Sequence, residues 1–155
     1  MYFPKYLHFV AQLEMAMAEA FRQNAERHSD EPDVRITCLN MAKQCASQSE
    51  TLRAASARFP EEPDAAMASV VSGQWSPDGQ GSLALLRDLH RLCVMASELE
   101  IALIAVGQAT QALHDKELDN TVRSCQQQID TQIKWLKSRI KQAAPQVLIA
   151  AREDL

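Results

Sequence analysis

Glycine and proline are scarce in this chain of 155 residues, four and six respectively, and neither builds a repeat. That scarcity excludes a collagen-like rod and a Gly/Pro-rich disordered chain. Aromatic residues make up only 5% and no segment alternates apolar and polar with period two, so strands have no support. The four cysteines, Cys38, Cys45, Cys93 and Cys125, include no CxxC pair, and they are expected to stay reduced and to form no disulfide. Also missing are a phosphate loop, a dinucleotide-binding glycine fingerprint, a nucleophile elbow, an HExxH helix and an EF-hand loop. Charge of one sign does not dominate either: 20 acidic against 16 basic side chains leave a net −4. No field exists to gather phosphates, and nucleic acid is not an expected partner. The start, Met1-Tyr2-Phe3-Pro4-Lys5, lacks a basic region followed by an apolar run, and no uninterrupted stretch of about 18 apolar residues occurs. Neither export nor membrane insertion is expected, and a cytoplasmic location follows.

What is present is apolar content of 46%, enough for a chain of this size to bury one real core. Ala, Leu, Gln, Glu and Arg recur with helical spacing, which predicts an all-α protein of four long helices over about 4–28, 31–59, 82–113 and 116–143. Six of the ten glycines and prolines, Pro60, Pro63, Gly73, Pro77, Gly79 and Gly81, lie between 60 and 81, which makes that segment a long connection. Connections near 29–31 and 114–116 are short, so helices 1 and 2, and helices 3 and 4, are expected as antiparallel hairpins joined by the crossover 60–81. Within it, 64–71 is expected to form a short helix and Trp75 to cap the apolar end of the bundle, facing a partner being the alternative. Pro4, Pro32 and Pro145 are expected at helix ends. Acidic residues at 30–33 and 115–119 suit helix starts. Lys134, Lys137, Arg139 and Lys141 complement the dipole at the end of helix 4, a binding patch being the alternative. The tail 144–155 carries the apolar run Val147-Leu148-Ile149, which either packs back on the bundle or reaches a neighbour.

Helical wheels assign the inward stripes. On helix 1 the stripe is Phe3, Tyr6, Leu7, Val10, Leu13, Met17, Phe21 and Ala25, with Glu14 inside it. On helix 3 it is Leu85, Leu89, Leu92, Ala96, Leu99, Leu103 and Val106, with Glu100 alongside. Helix 2 turns Val34, Cys38, Met41, Cys45, Leu52 and Phe59 inward with Gln48 on the shoulder, and helix 4 Leu118, Val122, Cys125, Ile129, Leu136 and Ile140 with Gln132 on the shoulder. Reflecting each hairpin about its turn collects Glu14, Cys45, Gln48, Glu100, Ile129 and Gln132 in one layer. A buried carboxylate costs several kcal/mol unless it is paired, hydrated, protonated or metal-bound.

Two helix pairs, a long crossover, and an inward glutamate on the first and third helices resemble the ferritin-like superfamily, which includes rubrerythrins and bacterioferritins. Membership implies a four-helix bundle, and in the di-iron members a Glu-x-x-His pair on each of helices 2 and 4. The stretch Met41-Ala-Lys-Gln-Cys-Ala-Ser-Gln-Ser-Glu-Thr-Leu52 resembles a rubrerythrin second helix in which both ligands are exchanged. The matching positions read Cys45-Ala-Ser-Gln48 and Ile129-Asp-Thr-Gln132. Neutral amides and an isoleucine do not hold two hard cations, so di-iron chemistry is disfavoured and no cofactor is expected. Residues Glu14, Glu100, Cys45, Gln48 and Gln132 mark a vestigial or remodelled metal site. The leading expectation is a non-catalytic structural or protein-interaction module that forms a homo-oligomer, a dimer first. One alternative is a single transition metal held by Glu14, Glu100 and cysteine for redox or detoxification work. Another is a small-molecule pocket between the helices.

The remaining features have blander readings beside the chemical ones. The cysteines are expected as core packing, a thiol or metal site being the alternative. His90 and Cys93 have ligand spacing but His90 lies off the stripe. His28 and His114 are expected to end helices 1 and 3, His8 to lie at the surface, and Gln126-Gln127-Gln128 to form a solvated face.

Overall fold

A computed structural model describes residues 2–59, 69 and 81–150, and among them it is helical with no strand. Four helices follow in order: α1 (Phe3–Arg27), α2 (Pro32–Ser56), α3 (Ser82–Ala112) and α4 (Lys116–Pro145). Pro4 and Pro32 each sit in a first turn, where the missing N–H costs nothing. The α3–α4 turn is tight. His114 takes the left-handed conformation, φ 54°, and Asp115 caps α4 by accepting the Leu118 N–H at 3.0 Å. Gly81 enters α3 at φ 94°, a region that disfavours a side chain. The expected helix at 64–71 and the position of Trp75 lie outside the described residues, Ser69 aside.

The chain stays helical past Pro145, where the sequence predicts an end. A π-helical turn spans Gln146–Ala150: proline removes one i→i−4 hydrogen bond, and the wider π spacing carries the backbone on. The basic residues 134–141 therefore fall short of the last turn of α4. Arg139 instead bonds Asp33 Oδ2 at 2.8 Å and Glu31 Oε2 at 3.5 Å near the start of α2. In the tail, the π turn touches α3 and α4, with Val147 half-buried and Leu148 and Ile149 exposed.

The inward stripes form one core. Leu7, Met17 and Phe21 of α1, Leu52 of α2, Leu89, Leu92, Leu99 and Leu103 of α3, and Leu118, Ile129 and Leu136 of α4 are all fully buried. Phe3 and Phe59 meet edge to face with centroids 5.6 Å apart. The closest partners are α1 with α2 and α3 with α4, and α1 also touches α3 while α2 touches α4. Polar residues also sit in this packing without having been expected there, Ser49 and Gln126 among them. Ser49 is buried and donates to the Ala11 carbonyl at 2.8 Å, tying α2 to α1. Gln126, expected on a solvated face, is half-buried and donates to the Leu103 carbonyl at 3.1 Å. Gly107 makes room for it: a Cβ there would stand 2.9 Å from Gln126 Nε2.

α3 differs from its neighbours in being apolar on more than one face. It contains an 18-residue window of mean hydropathy 1.6, long and apolar enough by composition to cross a membrane, yet only 39% of that window is buried. Glu98 and Glu100 interrupt the run, so no uninterrupted apolar stretch of that length occurs, but they do not offset its Leu, Ile, Val and Ala content.

Asp115 has two roles, capping α4 and pairing with Arg58, just past the end of α2, at 2.7 Å. Asp115→Ala is expected to lower stability, mostly from the lost cap. Urea unfolding followed by circular dichroism measures it, and the midpoint should fall with an unchanged slope.

Candidate functional site

Glu14 occupies the centre of the α1 stripe, between Val10, Met17 and Phe21 on successive turns, and is 1% exposed. Its Oε2 has no hydrogen-bond partner among the described residues. Burial pushes the carboxyl up to about 8, and a hydrogen bond from the Cys45 thiol opposes only part of that rise. The group is therefore mostly the neutral acid at pH 7.

Opposite it lies a small network of thiols and amides. Cys45 Sγ stands 3.4 Å from Gln132 Nε2, which donates to it, and 3.6 Å from Gln132 Oε1. Gln132, fully buried, also donates to Gln44 Oε1 at 3.5 Å. Cys125 donates its thiol hydrogen to Gln48 Oε1 at 3.2 Å, and Gln48 Nε2 donates to Ser124 Oγ at 3.4 Å. Burial, then the nearby Glu14, pushes the Cys125 thiol up to about 12 and the Cys45 thiol higher still. Both thiols stay protonated, and a protonated thiol is neither nucleophile nor metal ligand.

Of the expected layer, Glu14, Cys45, Gln48 and Gln132 take part in this network, with Ile129 buried beside them. The amides bond the cysteine sulfurs. One detail differs from expectation. Glu100 is half-buried and makes no hydrogen bond or ion pair among the described residues. Leu99, Ala102, Leu103 and Val106 fill the buried arc of α3, and Glu100, one 100° step beyond Leu99, falls at its edge. Among the described residues, no group of three or more His, Cys, Asp and Glu side chains is placed to hold a metal ion.

The four cysteines are free, three buried and Cys93 half-buried. Burial, aided by Asp33, pushes the Cys38 thiol up to about 12. His90 is exposed and His8 half-buried. A cleft of about 490 Å³ runs between α3 and α4, lined by Gln108, Asp119, Arg123 and Asp130 among others; it includes neither Glu14 nor Glu100.

A second buried polar cluster was not read from the sequence. Asp88 of α3 is 1% exposed. Its Oδ2 accepts from His28 Nε2 at 2.6 Å and from Arg27 Nε at 3.1 Å. His28 does end α1, as expected, but its ring is 2% exposed and points into the bundle. The missed signal was the same one that exposed Glu14. Asp88 sits among Leu85, Leu89 and Leu92 on the inward face of its helix.

Comparison with family models, with curated proteins and with solved structures gives no match to this chain.

Two predictions follow from the two acids. Between pH 4.5 and 8 the folded chain holds a proton on Glu14 that the unfolded chain has released, so Glu14 makes stability fall as pH rises, by roughly 1.4 kcal/mol per unit and about 4–5 kcal/mol in all. Glu14→Gln keeps the shape of the neutral acid. It is expected to match the wild type near pH 5 and exceed it by several kcal/mol at pH 8, as measured by urea unfolding across pH. Asp88→Asn strips His28 and Arg27 of their shared partner and is expected to cost about 3–5 kcal/mol, and a double-mutant cycle with His28→Gln should give a coupling of about 1–3 kcal/mol.

Proposed function

We propose that this chain is a ferritin-like four-helix bundle without a working metal centre, acting as a structural or protein-interaction module and assembling as a homo-oligomer, a dimer first. No catalytic step is assigned to it. The observation that carries the reading is the Glu14 neighbourhood: where di-iron members place a second carboxylate and an imidazole, Cys45 and Gln132 bond each other and Glu14 is held neutral. Binding a cation there would require deprotonating an acid and two thiols, all of which burial holds in the protonated form.

The contacts support a two-hairpin arrangement. His28, Asp88, Asp33 and Arg139 meet towards one end of the bundle. Phe3, Phe59, Arg58 and Asp115 meet towards the other. On that pattern α1 runs against both α2 and α3, and α2 runs against α4. Phe59 and Gly81 would then stand towards opposite ends of the bundle, about 40 Å apart, a gap that the residues between them can span at about 3.3 Å each.

A single remodelled metal is the second reading, favoured by the unpartnered Oε2 of Glu14 beside two thiols. Elemental analysis of protein purified without chelators separates the two. The proposal expects metal well below one per chain, unchanged in Glu14→Ala. Stoichiometric metal that disappears in Glu14→Ala and in Cys45→Ser would overturn it.

A further inference from the structure

We draw no further inference here: the strongest candidate, the exposed apolar patch of Val94, Ile101 and Ile104 on the outer face of α3, carries none because nothing in the structure shows what covers it.

Discussion

Glu14 sits where the apolar stripe of α1 is densest, and most of the chemistry of this core follows from its desolvation. A carboxylate there would have to be met by cations or by several donors, and its described neighbours offer chiefly thiols and amides. The lower-energy solution is to keep the proton. Once Glu14 is neutral, Cys45 and Cys125 face no cation that would favour thiolate, and burial holds them protonated as well. Three groups able to bind metals in water thus hold one another in their non-binding forms. Gln48 and Gln132 complete the arrangement because an amide bonds a sulfur and a second neutral group, Ser124 or Gln44, together without adding charge.

The two buried acids show how strongly context decides. Glu14 and Asp88 are equally inaccessible. Glu14 has a thiol for company, whereas Asp88 has the imidazole of His28 and the guanidinium of Arg27 on the same oxygen. The Asp88 cluster joins the end of α1 to the first turns of α3, a junction that short loops do not make. Removing Asp88 takes away the one oxygen that His28 and Arg27 share, so the cluster specifies how α1 and α3 meet even if its net energy is modest. Ser49 on Ala11 and Gln126 on Leu103 do the same for the other helix pairs with neutral groups, each pairing a side chain with a backbone carbonyl of the adjacent helix.

How much of this was legible depends on whether one helix carries the information. Helix number, the starts at Pro4 and Pro32, and the inward faces of α1, α2 and α4 are written in 3.6-residue periodicity and breaker positions, and the described residues follow them to within a few positions. Glu14 was legible for the same reason: α1 has one sharp stripe. Glu100 was harder to place because α3 is apolar over much of its circumference, so the centre of its stripe is poorly defined and an error of one step moves a residue from core to edge. Asp88 obeys the stripe rule, but its partner His28 is 60 residues away, and helix-terminal histidines have a sufficient local explanation that hides a long-range one. The continuation beyond Pro145 was not legible because a π turn accommodates a proline that an α-helix does not.

The broad apolarity that blurs α3 on a wheel is also its structural meaning. In a monomeric bundle a helix that contacts two neighbours needs an apolar arc covering about half its surface, and the rest is normally charged. On α2 the outer face carries Asp33, Arg35, Asn40, Lys43 and Glu50; on α4 it carries Lys116, Glu117, Arg123, Asp130 and Lys134. Between Val94 and Ala112 α3 has only two glutamates, Glu98 and Glu100, and neither stands on the line through Val94 and Ile101. Stability of the isolated bundle does not require this, because the core is already closed by the opposite face, and solubility argues against it. A helix whose two opposite faces are both apolar turns only one of them to the core, and on α3 that leaves Val94, Ile101 and Ile104 exposed.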